Sequence, residues 1–548
     1  RGGEMLAENF ATVWEAIADS MGSHEAILQG SRRVAWSQFE ERSARVAGAL
    51  ADRGVRPGDK VALIAFNCPE FLEILFAAFK LRAVPVAFNY RFRGSELAEV
   101  LEDSDSVVAF FHASLAPELE GVRSQLHRVR EWVVLPDGAA CPGWATPFER
   151  VLEAKPTPRI ARSGDDQFIQ YTGGTTGRPK GVVWRHSDIA ATVAFLAYMP
   201  LGLATPDTLD GVVEIAAARR ETKDRVTYLP TTPLMHAAAL YNAFAFLQIA
   251  GRVVLLEGRA FDADEFCEAV ERERATNVVI VGDTLGRPIL DVLDAAAAAG
   301  RPRDLSSLAT LTSAGLAFSA ESKQRFQRHA PNLTIFDLVG GTEGGPYGMC
   351  ITPPGGDPGE TAVFTATPGT ILIDDETGEV IPQGSDRIGL IGYTGALPFG
   401  YYNDEEKTAA TFREIDGTRY AVTGDCARID ADGRLHLLGR GNTCINTGGE
   451  KVFPEEVEEV LKLHPTLRDC IVVAVPDPSY GSAIAAVVAR APGAEPELAA
   501  LAAHVKEHLA GYKQPRHLVV VDEVRRTAAG KPDYRWAREI AEHAVRQG

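Results

Sequence analysis

Cysteine is scarce and unpatterned. The seven, at positions 68, 141, 267, 350, 426, 444 and 470, are odd in number and widely scattered. No C-x-x-C pair and no Cys/His cluster occurs, so neither a disulfide framework nor a zinc site is expected, and a cytoplasmic, reducing location is. Positive charge is also short: 56 Lys and Arg face 74 Asp and Glu, a net charge of −18. That balance argues against a nucleic-acid or anionic-membrane surface. Long hydrophobic runs are missing too. The most apolar stretch, residues 237–250, is interrupted by Asn242 and Gln248 and is too short for a bilayer. No integral membrane segment is expected, and no signal peptide is read ahead of Met5. Internal repeats are not apparent.

What is present describes a soluble chain with more than one domain. Its 548 residues exceed one ordinary core, with 45% apolar and 24% charged residues. Short apolar strands alternate with amphipathic helices from residue 10 to about residue 338, which predicts α/β subdomains around mostly parallel sheets. Residues 199–224 show no clear period and are expected to form an insertion or lid. From 359 to 438 the pieces shorten and carry frequent Gly and Asp, which suggests a small antiparallel barrel. A compact α+β segment follows the break at Gly439-Arg-Gly-Asn-Thr. The expected domains are therefore 1–441 and 442–548.

The densest chemistry lies in Tyr171-Thr-Gly-Gly-Thr-Thr-Gly-Arg-Pro-Lys-Gly181. Gly173, Gly174 and Gly177 let backbone N–H groups approach a ligand that any Cβ would push away. Thr172, Thr175 and Thr176 add hydroxyl donors, and Lys180 adds a point charge. Such a loop is built to wrap polyphosphate. It is not a mononucleotide P-loop, because Pro179 precedes Lys180 and Gly181 follows it, where Gly-Lys-[Ser/Thr] would be needed.

Read at full length, the stretch resembles the phosphate-binding signature of the adenylate-forming superfamily, which holds acyl-CoA synthetases, peptide-synthetase adenylation domains and luciferases. Further segments resemble that family in the same order, across about residues 10–540. Val339-Gly-Gly-Thr-Glu343 is similar to its Tyr-Gly-x-Thr-Glu, with Val339 where an aromatic is usual. The resemblance implies that Thr342 bonds the α-phosphate and that Glu343 holds Mg²⁺, a hard cation preferring oxygen. It places Ala314, Gly315, Asp337, Leu338, Val339 and Gly340 around adenine, and Asp425 with Arg440 on the ribose. His236 would stand at the mouth of the acid tunnel, followed by the small residues Ala237-Ala-Ala, which leave room for a bulky or long acid. Asn442 takes the place of the hinge residue, ahead of a small mobile C-terminal domain. Gly448, Gly449 and Lys451 would meet coenzyme A, and Lys531, in Arg526-Thr-Ala-Ala-Gly-Lys531, would be the catalytic lysine.

The implied reaction joins a hydrophobic carboxylic acid to ATP as acyl-AMP, then to CoA. The stretches 444–458 and 281–288 look most like bacterial fatty-acyl and steroid-side-chain CoA ligases. An aryl-acid CoA ligase is the rival within the class, and a non-catalytic acyl-nucleotide sensor is the rival outside it. ATP, Mg²⁺ and coenzyme A are the implied small molecules, and a homodimer is a possible assembly.

Overall fold

The computed structural model describes residues 8–172, 179–219, 225–440, 443, 445–447, 450–477, 481–509, 511–527 and 531–547. The chain divides into two compact units, Arg1–Thr361 with Thr394–Ala421, and Ala362–Tyr393 with Val422–Gly548. The second unit therefore takes in strands that precede residue 442. The cause is pairing: Val363, Phe364 and Thr365 lie opposite His436, Leu435 and Arg434, so residues 362–393 cannot be separated from the strand Arg434–Arg440.

The first unit holds two sheets. In one, the parallel strands Arg252–Leu255, Thr227–Pro230, Asn277–Ile280, Thr310–Ala314 and Thr334–Gly341 lie side by side, and Gly344–Thr352 returns antiparallel. In the other, Ser106–His112, Lys60–Ile64, Val84–Ala87 and Gln167–Thr172 run parallel, and Lys180–Arg185 and then Gly400–Tyr401 extend the edge antiparallel. Strands such as Lys60–Ile64 and Val84–Ala87 are near-continuous apolar runs because helices cover both faces.

The largest core gathers helices Phe10–Met21, Trp36–Asp52, Pro69–Lys80, His186–Tyr198 and Ala237–Leu247. Its centre is aromatic: Phe10 stacks on Phe244 at 4.7 Å, and Trp14 meets Phe76 edge-on at 5.2 Å. Lys80 is enclosed in this core, and its Nζ donates to Glu15 and Glu40 at 2.7 Å each. A buried cation needs partners of that kind.

Residues 199–219 are more regular than their sequence suggests. A helix, Leu209–Ala218, starts where the Thr208 hydroxyl accepts from the Gly211 N–H. Only Val212 and Ala216 of that helix are fully buried. With so narrow a buried stripe, the helical period hardly shows in the residues.

In the second unit, Thr370–Ile373 pairs antiparallel with Val380–Ile381 and with Gly389–Tyr393, as Val363–Ala366 does with Arg434–Arg440. Thr418–Ile429 lies between these two sets of strands in the sheet order and pairs antiparallel with Arg434–Arg440. The C-terminal part is a three-stranded sheet of Leu467–Asp477, Gly481–Arg490 and His517–Val521. Alternation along its strands separates two small cores. Cys470 and Val472 face helices Pro454–Lys462 and Leu498–His508, while Ile471, Val473 and Val475 face Tyr534–Gln547.

Candidate active site

Several expected site residues emerge at one end of the first unit's parallel sheet. Ala314 and Leu338 are register partners on adjacent parallel strands, and Ser313 sits opposite Asp337. Gly315 follows at once, solvent-exposed, with a φ of +91° that favours glycine. Val339 and Gly340 continue the neighbouring strand. The strand Thr227–Pro230 ends on the same side of the sheet and leads through Thr231 and Thr232 to His236. Carboxyl ends of parallel strands are where open α/β sheets bind ligands.

Thr342 and Glu343 form the tip of a hairpin, since Gly341 lies opposite Gly344. Two hydrogen bonds tie that tip to the other sheet. The indole Nε1 of Trp184 donates to the Thr342 carbonyl at 3.0 Å, and the Tyr401 hydroxyl donates to Glu343 Oε1 at 2.7 Å. Trp184 lies on Lys180–Arg185, the strand that leaves the phosphate loop, and Tyr401 pairs with Val182 of that strand. The two motifs, 158 residues apart for the tryptophan contact, thus meet through Trp184 and Tyr401.

The base of the phosphate loop is equally defined. Thr172 and Lys180 are register partners at the open end of an antiparallel pair, so the loop is a hairpin connection. Its apex residues Gly173, Gly174, Thr175, Thr176 and Gly177 lie outside the described residues. Gly181 is required by close packing: a Cβ there would come within 2.7 Å of Ile169 Cγ2 and 2.9 Å of Tyr171 Cε2. Lys180 Nζ pairs with the Asp404 carboxylate and lies 6.0 Å from the centre of the Tyr401 ring. Hydrogen bonding to Lys180 holds Asp404 below the usual carboxylate range. The Tyr171 hydroxyl donates to Asp103 at 2.5 Å, and burial, with that carboxylate beside it, keeps the phenol neutral.

Asp337 is the least accessible of the expected residues. Its Oδ2 lies 2.7 Å from Lys323 Nζ, and the two side chains are 4% and 1% exposed. Burial pushes Asp337 up to about 6 against the pull of Lys323. His236, half-buried, is the N-cap of helix Ala237–Leu247, and its carbonyl accepts from the N–H groups of Ala239 and Leu240. Ala237 and Ala238 pack against the aromatic core. One turn on, Tyr241 meets Trp184 edge-on at 6.2 Å, and burial together with the charge of Glu343 keeps its hydroxyl neutral.

The other expected residues belong to the second unit. Asp425 and Arg440 face each other across an antiparallel pair, and the Thr423 hydroxyl donates to Asp425 Oδ2 at 2.7 Å. The Lys531 carbonyl accepts from the Thr527 N–H at 2.7 Å, beside the bridge between Arg526 and Pro532. Asn442, Gly448 and Gly449 lie outside the described residues. The backbone of Lys451 pairs with Asn446 in a short hairpin.

Sequence reading missed Tyr401, Asp404, Trp184 and Tyr241. Gly400-Tyr-Tyr-Asn-Asp404 does carry a turn signal, and Asp404 caps helix Glu405–Thr411 by accepting from the Lys407 N–H. Nothing local points from that cap to Lys180, 224 residues earlier.

Known proteins match the chain over nearly its whole length. Residues 14–402 match the family described as AMP-binding enzyme, and residues 456–531 match the AMP-binding enzyme C-terminal domain. The chain is 37% identical over 542 residues to a medium/long-chain-fatty-acid–CoA/3-oxocholest-4-en-26-oate–CoA ligase of Mycolicibacterium smegmatis, covering 98% of this chain and 97% of that one. It is likewise 37% identical over 540 residues to a 3-oxocholest-4-en-26-oate–CoA ligase of Rhodococcus rhodochrous, with 97% and 96% covered. A feruloyl-CoA synthase of an Amycolatopsis species is 31% identical, with 94% and 96% covered. The fold matches an anthranilate CoA ligase in complex with anthranoyl-AMP, with a TM-score of 0.82, 24% identity, and 99% and 98% of the two chains covered. No helix among the described residues is long and apolar enough to cross a membrane. The chain belongs to the AMP-binding enzyme family, with both the main and the C-terminal domain of that family, and is an acid–thiol ligase of its AMP-forming class.

Proposed function

We propose that the chain activates a hydrophobic carboxylic acid, a medium- or long-chain fatty acid or a steroid side chain, in two steps. The acid carboxylate attacks the α-phosphorus of ATP, giving acyl-AMP and pyrophosphate. The thiol of CoA then attacks the acyl carbon and AMP departs. A carboxylate oxygen is a poor leaving group and AMP a good one, which is why the first step must precede the second. The observation that carries this reading is the meeting of the Lys180 strand with the Thr342–Glu343 hairpin through Trp184 and Tyr401.

Each group has a proposed part. Thr172, Lys180 and the loop residues 173–177 hold the β- and γ-phosphates, and the Thr342 hydroxyl bonds the α-phosphate. Glu343 and Thr342 offer only oxygen, the donor set that suits Mg²⁺; the ion would screen phosphate charge there. Ala314, Gly315, Leu338, Val339 and Gly340 flank adenine, and Asp337 accepts from its amino group with the oxygen that Lys323 does not hold. Asp425 and Arg440 take the ribose hydroxyls. Lys531 offsets the charge that moves from carboxylate to phosphate, and residues 442, 448, 449 and 451 serve the CoA step.

The acid reading rests on helix Ala237–Leu247. Its first turn is alanine and the turns beyond are apolar, so it offers space and no cation or anion to pair with a polar acid. Similarity to fatty-acid and steroid-acid ligases supports the same choice. The test is acid-dependent AMP release with decanoate, palmitate, a C26 steroid acid, benzoate and ferulate. Highest kcat/KM is expected among the first three. A benzoate or ferulate optimum would replace the acid with an aryl one, and no AMP release with any acid would overturn the reaction.

A further inference from the structure

One titratable cluster in the second unit has no part in the reaction above. Helix Leu498–His508 buries Leu501 and Val505, and His504, Glu507 and His508 line the edge of that face, His504 half-buried and the other two exposed. Residues spaced by three and four share one helix face. One ligand atom from each of the three lies within 4.8 Å of the others.

The hydrogen bonds settle which nitrogens can bind. His504 Nε2 lies 3.0 Å from the Val460 carbonyl, in the last turn of Pro454–Lys462. A carbonyl only accepts, so Nε2 carries the hydrogen and the lone pair is on Nδ1. His508 Nδ1 lies 2.9 Å from the His504 carbonyl, which leaves its lone pair on Nε2. Each ring thus donates one N–H to a backbone oxygen, which leaves the other nitrogen as the one that can take a metal. That is how outer carbonyls prepare imidazole for a metal. The two rings are 4.7 Å apart, and a third, His464, stands edge-on to His504 at 5.2 Å.

We propose that His504, Glu507 and His508 bind one divalent transition-metal ion of the zinc type, with water completing its coordination. Two imidazoles and a carboxylate suit Zn²⁺, Cu²⁺ or Ni²⁺ and disfavour Mg²⁺, so the site is chemically distinct from Glu343. Tetrahedral zinc with bonds of about 2 Å needs ligand atoms about 3.3 Å apart. Rotation of Glu507 and His508, both exposed, covers the difference. The spacing H-x-x-E-H also occurs in zinc peptidases, where the glutamate activates water. Here Glu507 and His508 stand on an exposed face, so the ion's role is to brace the helix against Pro454–Lys462 through His504 and Val460.

The test is calorimetric titration of chelator-treated full-length protein with ZnCl₂, for the wild type, His508→Ala, His504→Ala and a His127→Ala control. His508 is exposed, so its removal leaves the fold intact. One equivalent bound by the wild type and the control, weakened tenfold or more in both cluster variants, is the expected result. No binding by the wild type, or equal affinity in His508→Ala, overturns the site.

Discussion

Tyr401 joins the strand that leaves the phosphate loop to the Thr342–Glu343 hairpin. Its hydroxyl donates to Glu343 while its ring lies under Lys180. Tyr401→Phe keeps the ring and removes the donor. A hydrogen bond to a charged acceptor contributes about 1.5–3 kcal/mol, so acid-dependent pyrophosphate exchange should fall about tenfold to a hundredfold. The Mg²⁺ concentration for half-maximal rate should rise as well; an unchanged requirement would detach Tyr401 from Glu343. Lys180, Thr342 and Glu343 could be read from sequence because glycine and threonine crowd around them locally. Tyr401 and Trp184 could not, since an aromatic beside a glycine or within an apolar strand is ordinary core. A second residue with a measurable consequence is His186. It is fully buried, its Nδ1 accepts from the Phe10 N–H at 3.0 Å, and burial lowers it to about 3. The unfolded chain takes up this proton near pH 6.5 and the folded chain does not. Stability should therefore be complete above pH 6.5 and decline as pH falls toward 3, by up to about 1.4 kcal/mol per pH unit. His112, lowered to about 4 by burial, adds to the same slope. Urea unfolding at pH 7, 6 and 5 should show a shallower decline for His186→Phe than for the wild type.

Among elements, those with strong periodicity were legible and those defined by distant partners were not. The parallel strands and their covering helices follow from apolar runs and amphipathic stripes. Helix Leu209–Ala218 stayed hidden because its buried stripe is two residues wide. The strand Gly400–Tyr401 is too short to carry any alternation, and only its pairing with Val182 and Val183 gives it a place. Helix Ala237–Leu247, proposed to receive the acid, stands between these cases: its apolar character was evident, but the position of Tyr241 beside Trp184 was not. Its alanines give an element-scale prediction. Ala237 is half-buried at the first turn, next to His236. Ala237→Trp fills space that a long or polycyclic acid needs. The ratio of kcat/KM for palmitate to that for hexanoate should drop at least tenfold, read from AMP release, whereas a uniform loss with both acids would place Ala237 outside the acid site.

At the scale of the whole molecule, the groups proposed for the reaction are divided between the two units. The first unit supplies the phosphate loop base, the Thr342–Glu343 hairpin and the acid helix. The second unit supplies the Asp425–Arg440 pair and, on a separate small sheet-and-helix core, Lys531. The sequence order of the motifs implied this division. It did not imply that strands from residue 363 onward group with the C-terminal segment, because the pairing of Val363 with His436 spans too much chain to show as a local pattern. The role proposed for Lys531 is to offset the negative charge that passes from carboxylate to α-phosphate, and attack by a thiol on the finished acyl-AMP makes no such demand. A unit charge about 4 Å from that phosphate is worth roughly 4 kcal/mol at an intermediate dielectric. Lys531→Ala should therefore slow acyl-AMP formation by about a thousandfold, while thioester formation from acyl-AMP supplied directly should change less than about fivefold. The two rates are read separately, by pyrophosphate exchange and by CoA consumption. Equal losses in both would mean that Lys531 acts on the nucleotide throughout, and not on the first stage alone.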